Sequence, residues 1–161
     1  MRSLFFIFTP IVLLAGCGYQ IGTSDPGAFF SFYELEGDES IMACGVVEER
    51  LKAAGLSRGS DAAAGVVIQC LSEKVDRRPV SVDVNSLGAE YQIVYSIKYG
   101  IKSGDGAGLL APSWLIRSDS YLYDRNNLQG SRSQERIIRA ELVSRVAEQI
   151  VRSINLIGSS R

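Results

Sequence analysis

The residue with the clearest chemistry is Cys17, at the end of an apolar N-terminal stretch. Arg2 precedes an apolar run over residues 4–14, and Leu14-Ala15-Gly16-Cys17 fits the bacterial lipobox. In a lipobox, small residues let the backbone enter the signal peptidase, and the cysteine thiol takes diacylglycerol. The run is shorter than the roughly 20 apolar residues that a transmembrane helix needs. We therefore predict a signal peptide over residues 1–16 and a lipid-modified Cys17.

Gly18 bears on where such an anchor would hold the protein. It stands where an aspartate would usually retain a lipoprotein in the inner membrane, so we predict an outer-membrane lipoprotein that faces the periplasm. Two or more acyl chains make such anchoring stable. The alternative is a plain secretory signal with a chance cysteine. It is the weaker reading, because a cysteine directly after the small residues is rare.

The other cysteines, Cys44 and Cys70, have two possible states. The periplasm is oxidising, which favours a disulfide, but both residues lie in apolar settings that equally suit buried free thiols. The chain has no histidine, the commonest zinc ligand and the usual general base. We therefore expect no enzyme activity, no metal site and no cofactor except the covalent lipid on Cys17.

Hydrophobic periodicity predicts four strands and two helices that would position any binding residues. The strands are expected at residues 29–35, 65–75, 91–101 and 113–123, and the helices at residues 40–54 and from residue 131 to beyond residue 154. The clearest strand is the third, where tyrosine and isoleucine occupy every second position. Gly55 should end the first helix, and Ser131 with Gln134 should cap the second.

Two segments between these elements read as turns. Arg77-Arg78-Pro79 is expected to be a polar turn after the second strand, and residues 103–108 a glycine-rich hairpin loop. The element order predicts an α+β fold with two helices on one face of a four-stranded mixed sheet. Residues 17–161 are expected to form one domain.

Charge is unevenly distributed. Residues 17–64 carry 8 acidic and 3 basic side chains, whereas residues 125–161 carry 3 acidic and 7 basic ones. The net charge of −1 argues against a nucleic-acid partner, but the basic C-terminal part could meet smaller anions. The alternative for these arginines is a solvated helix surface.

Several motifs together resemble one known family. They are Gly16-Cys17-Gly18-Tyr19-Gln20-Ile21, Gly88-Ala89-Glu90-Tyr91-Gln92-Ile93, Tyr121-Leu122-Tyr123-Asp124 and the amphipathic last helix. In order and spacing they resemble the LPS-assembly lipoprotein family, LptE, over most of the mature chain. The resemblance implies a two-helix, four-stranded fold. It also implies a non-enzymatic role inside the LptD β-barrel, where the protein plugs the barrel and helps lipopolysaccharide reach the outer leaflet.

The resemblance also implies that a basic residue just before the last helix meets lipopolysaccharide, and Arg132 stands at the matching place. A helix start suits a phosphate because it offers unpaired amides and a positive dipole. We hypothesise that Arg77, Arg78, Lys98 and Lys102 contribute further phosphate contacts; the alternative for each is a solvated surface charge.

The chain departs from the family pattern at two places. Asp119 stands where a basic residue would be expected, and Asn85-Ser86-Leu87 lacks an arginine.

The alternative function is an independent, periplasm-facing accessory lipoprotein of an envelope transport system.

Overall fold

The fold is a five-stranded sheet with two helices on one face. In the computed structural model, which describes residues 25–82 and 88–160, a short 3-10 helix (Pro26–Ala28) precedes β1 (Phe32–Gly37), α1 (Met42–Ala53), β2 (Ser57–Arg58), β3 (Gly65–Val82), β4 (Gly88–Ser103), β5 (Gly108–Asp124) and α2 (Leu128–Ser159). The predicted lipobox and Asn85-Ser86-Leu87 lie outside the described residues.

The strands lie in the order β2-β1-β3-β4-β5. β1 is parallel to both of its neighbours, whereas β3, β4 and β5 form an antiparallel meander. The predicted class, α+β with a mixed sheet and two helices on one face, is confirmed. The fifth strand, β2, was missed because two exposed polar residues carry no periodic signal.

The face of the sheet that the helices cover, called here the covered face, forms the core. The alternation predicted for β4 holds, because its covered-face residues from Ile93 to Ile101 are at most 5% exposed. The helices supply apolar stripes against them. The buried residues of these stripes include Cys44, Val47 and Leu51 in α1, and Ile138, Leu142, Val146, Ile150 and Ile154 in α2.

A disulfide joins the first helix to the sheet. Cys44 of α1 and Cys70 of β3 are bonded, with Sγ atoms 2.04 Å apart and a sequence separation of 26 residues. Both residues are buried. Of the two states that the sequence left open, the structure therefore has the disulfide.

The first helix begins later than predicted. Met42, not Ser40, is its first residue, and its cap residue Ile41 makes no side-chain hydrogen bond. Ser40 is instead bonded to Asp38, whose carboxylate accepts from the Ser40 amide and hydroxyl. At the other end, Gly55 has a φ of 85°, which explains why the helix stops where predicted.

The turn predicted at Arg77-Arg78-Pro79 is wrong, because β3 continues to Val82 and keeps its pairing with β4. Cross-strand partners make this extension favourable: Arg77 lies over the Tyr91 ring, and Arg78 donates to Gln92. β5 likewise begins earlier than predicted, at Gly108. The glycine-rich hairpin loop between β4 and β5 is confirmed, and Gly106 adopts a φ of 89° there.

The last helix begins earlier than predicted, at Leu128. Its N-cap is Asn127, whose Oδ1 accepts from the Gly130 amide at 3.0 Å. The predicted capping box is therefore wrong. Ser131 is a buried residue inside the helix, and its Oγ accepts from the Asp124 amide at 2.9 Å.

Candidate functional site

The five cations proposed from the sequence lie in three different places. Arg77 is on the covered face of β3, because its partner across the strands is the buried Ile93. Arg78, Lys98 and Lys102 are on the opposite face of the sheet, called here the open face. Arg132 lies on α2. The structure therefore does not gather the five residues into one cluster.

Arg77 is enclosed by aromatic rings and a carboxylate. Its guanidinium carbon is 3.6 Å from the centre of the Tyr91 ring and 5.4 Å from that of Tyr123. Its Nε donates to the Tyr121 hydroxyl at 2.8 Å and lies 3.6 Å from a Glu135 oxygen. The Arg77 guanidinium thus contacts aromatic ring faces and donates a hydrogen bond from its edge. These contacts within the protein occupy the cation.

The same contacts connect the sheet to α2. Tyr121 of β5 donates to Glu135 of α2 at 2.7 Å, and Arg139 donates to the other oxygen of Glu135 at 2.7 Å. Burial and the bond to Glu135 raise the pKa of the Tyr121 hydroxyl. Burial alone would raise the pKa of the Glu135 carboxyl, but the bonds from Tyr121 and Arg139 outweigh it and lower that pKa. We call Arg77, Tyr91, Tyr121, Tyr123, Glu135 and Arg139 the tyrosine cluster.

The open-face cations are spread along the sheet. Arg78 donates twice to the Oε1 atom of Gln92, at 2.8 and 2.6 Å. Lys102 forms a salt bridge of 2.9 Å with Glu36, and Lys98 lies opposite Trp114 of β5. As predicted, Lys98 and Lys102 share one face of β4; at four residues apart, they are separated by about 13 Å.

Arg132 lies one turn further into its helix than expected. It is the fifth residue of α2, so the unpaired amides at the helix start lie before it, around Asn127. Its side chain is exposed and lines a groove of about 400 Å³ together with Gln129, Glu135 and Arg136. Glu135 already accepts from Tyr121 and Arg139, which leaves the two arginines as the groove's available charges.

The sequence did not single out Arg136, and it marked the tyrosines only as parts of motifs, not as one cluster. Arg136 is four residues after Arg132, a spacing that places both on one side of a helix and could have suggested the pair. The rings of Tyr91, Tyr121 and Tyr123 meet because β4 and β5 are paired, with centroids 6.1 Å apart for Tyr91 and Tyr121. Only the register between the strands brings them together.

Metal ligands and membrane-spanning helices were the other features sought in the part of the chain that the structure describes. No three His, Cys, Asp or Glu side chains there converge in a way that could hold a metal ion. Among the helices of residues 25–82 and 88–160, none combines the length and apolar content that crossing a membrane requires.

Comparison with protein families then shows what the chain is related to. Residues 45–154 match the sequence model of LptE, described as Lipopolysaccharide-assembly. The chain belongs to the LptE family. The match contains the Gly88–Ile93 and Tyr121–Asp124 motifs and most of α2, which confirms the resemblance drawn from them. The chain is thus a member of a lipopolysaccharide-assembly lipoprotein family.

Solved structures show the same fold at low sequence identity. A minor lipoprotein from Acinetobacter baumannii is 20% identical, with a TM-score of 0.62 over 79% of this chain and 92% of that one. Rare lipoprotein B from Shewanella oneidensis is 16% identical, with a TM-score of 0.64 over 76% and 92% of the two chains. A lipoprotein B from Nitrosomonas europaea is 15% identical, with a TM-score of 0.63 over 81% and 85%. No curated protein matches the sequence significantly.

Proposed function

We propose that this LptE-family protein is lipid-anchored through Cys17 at the outer membrane, where it plugs and supports an LptD-like β-barrel and helps assemble lipopolysaccharide. The family match over residues 45–154 is the observation that carries the proposal. In this role the protein works by binding, without catalysis and without a cofactor.

The anchor and the fold are compatible with this placement. If Cys17 carries the lipid, seven residues, 18–24, separate it from Asp25, where the described chain begins. The eight Cα–Cα steps from Cys17 to Asp25 span at most about 28 Å, so the domain would stay close to the membrane surface. The Cys44–Cys70 disulfide suits the same location, because disulfides form and persist in the oxidising periplasm.

The proposed cations other than Arg77 would contact the phosphates of lipopolysaccharide. Arg132 is exposed in its groove, and Arg78, Lys98 and Lys102 lie on the open face, which neither helix of the described chain covers. Guanidinium groups can bind phosphate oxygens in a bidentate manner, and ammonium groups bind them as point charges. Arg77 would act differently, by holding Tyr121 and Glu135 beside the arginine groove.

Co-purification tests the barrel partnership. The full chain, extracted from outer membranes in detergent, should bring down a large β-barrel that mass spectrometry identifies as LptD-like. If the protein comes down without any barrel, the plug role is refuted and the independent accessory lipoprotein becomes the better reading. The Cys17→Ser variant should lack the mass of the attached lipid, and a wild-type protein without that added mass would refute the lipid anchor.

A binding assay with purified lipopolysaccharide tests the cations. Arg132→Glu should weaken binding by roughly tenfold or more, since charge-assisted hydrogen bonds contribute about 1.5–3 kcal/mol. Lys52→Glu is a matched control, because Lys52 is an exposed cation of α1 whose partner is Glu48. Equal binding by the Arg132→Glu variant and the wild type would remove Arg132 from the contact surface.

A further inference from the structure

The edge strand β5 presents a row of uncharged side chains on the open face of the sheet. β5 has 17 residues and ends the strand order, so in the described chain it pairs only with β4. Its open-face side chains around the middle of the strand are uncharged: Trp114, Ile116, Ser118, Ser120 and Leu122. Trp114 is 50% exposed and Leu122 is 74% exposed. The charged residues in the middle of β5, Arg117 and Asp119, lie on the covered face. The open-face row therefore carries no charge that would prevent pairing with another chain.

The sequence of β5 is complementary to itself. If two copies pair antiparallel about a two-fold axis perpendicular to the sheet, residues that face each other must lie on the same side of the sheet. With the axis at Ser118, Arg117 faces Asp119 of the second copy, and Trp114 faces Leu122 of the second copy. Moving the axis by one residue sets Arg117 or Asp119 against its own symmetry mate. Opposite charges therefore select one register.

A stripe on α2 repeats the same self-complementarity. Six residues at helical spacing form it: Ile137, Glu141, Arg145, Glu148, Arg152 and Leu156.

About a two-fold axis between Val146 and Ala147, the stripe of one copy matches that of the other. Glu141 then faces Arg152 of the second copy, and Arg145 faces Glu148 of the second copy. The two ends of the stripe, which are exposed isoleucine and leucine side chains, would cover one another.

Contacts within one chain place the two axes at the same level. Arg117 of β5 donates to Gln149 of α2, and Arg145 of α2 forms a salt bridge of 3.1 Å with Asp119 of β5. The centre of β5 at residue 118 is thus level with the centre of the stripe near residue 147. A groove of about 480 Å³ between β5 and α2 is lined by Arg117, Gln149 and four of the stripe residues, so the stripe borders β5.

We propose that β5 and the α2 stripe form an interaction surface for a second copy of this chain. Two copies would join their sheets edge to edge into one continuous sheet and pack their α2 helices antiparallel. Arg117 would gain a carboxylate partner, and the exposed Trp114 would be covered. The inference goes beyond the proposed function: it concerns copies that no barrel encloses, since a barrel around one copy would exclude the second.

Cysteine cross-linking tests the register. At the axis, the two copies of residue 118 have Cα atoms about 4.5–5.5 Å apart, which is within disulfide reach. Ser118→Cys, in the full chain purified in detergent and treated with a mild oxidant, should give a reducible species of twice the mass. Ser120→Cys is the matched control: it is also an exposed open-face serine, but its two copies would be about 14 Å apart along the strand. Equal cross-linking of the two variants would overturn the proposed register.

Charge exchange tests the interface itself by analytical ultracentrifugation. Arg117→Asp should weaken self-association roughly 100-fold, because like charges facing each other cost several kcal/mol. Adding Asp119→Arg to that variant should restore the pairing. Arg58→Asp, on the opposite edge strand β2, should leave it unchanged. A wild-type protein that stays monomeric, or a folded double variant that does not recover, would overturn the proposal whether or not a barrel co-purifies.

Discussion

The two ends of the sheet are attached to the helices by different chemistry. Near α1 the covered face is apolar, with Val66, Ile68 and Ile101 at most 1% exposed, and a disulfide fastens the helix to β3. At the other end, where β3 leads to β4 and α2 begins, the tyrosine cluster occupies the same face.

The first third of α2 explains the difference. Between Leu128 and Arg139 its buried residues are Ser131 and Ile138, so it offers the sheet little apolar surface. Hydrogen bonds and ring contacts replace apolar packing there. A cation on the covered face of a strand, such as Arg77, can therefore belong to the packing of the fold and not to a ligand site.

Removing the disulfide should have the largest effect on stability. A bond that closes a loop of 26 residues restricts the unfolded chain, and its loss should lower the free energy of unfolding by about 3.5 kcal/mol. The double variant Cys44→Ala/Cys70→Ala, followed by urea unfolding, measures this value. Adding a reductant to that variant should change nothing further. A loss of less than about 1 kcal/mol would show that apolar packing alone holds the α1 end.

Arg77→Ala should have the next largest effect, at the opposite end. It removes the cation from the rings and a hydrogen bond from Tyr121, so the free energy of unfolding should fall by about 2–3 kcal/mol. Arg78→Ala is the matched control: Arg78 is the next residue but lies on the open face, and about 0.5 kcal/mol is expected for it. Equal losses in the two variants would contradict the division between the two faces.

Tyr121→Phe separates the hydrogen bonds of the cluster from its ring contacts. The hydroxyl of Tyr121 joins Arg77 to Glu135, and its removal should cost about 1–2 kcal/mol. Tyr91→Phe keeps the ring under the Arg77 guanidinium, so a loss below about 0.5 kcal/mol is expected. Thermal unfolding of both variants would compare them. If Tyr91→Phe lost more stability than Tyr121→Phe, the Tyr91 hydroxyl and not its ring would make the important contact.

Acid should weaken the tyrosine cluster, with the smallest of the four effects. The pKa of Glu135 is lowered in the folded protein, so its contribution to stability is present above its unfolded pKa of about 4.5 and is lost as the pH falls through the folded pKa. The stability difference between the wild type and Glu135→Gln should therefore shrink below about pH 4.5. Denaturant unfolding from pH 7 to pH 3 measures it, and a constant difference would contradict the lowered pKa.

The regions whose sequence has a strict period were the predictable ones. The alternation of Tyr95, Ile97 and Tyr99 placed β4, and the spacing of Leu142, Val146 and Ile150 placed α2 and its buried stripe. Both patterns arise because one side of a regular helix or strand is buried, so each can be read from a single segment of the sequence.

Segment ends and partners between segments were decided only by the tertiary structure. Arg77 and Arg78 read locally as a turn, yet the rings of β4 and β5 and the amide of Gln92 keep them in β3. The pairing of Cys44 with Cys70 depends on the packing of α1 against the sheet, and the separation of the five cations depends on which face each strand residue occupies. Periodicity is a local property of the chain, but register, face and pairing arise from contacts between residues far apart in the sequence.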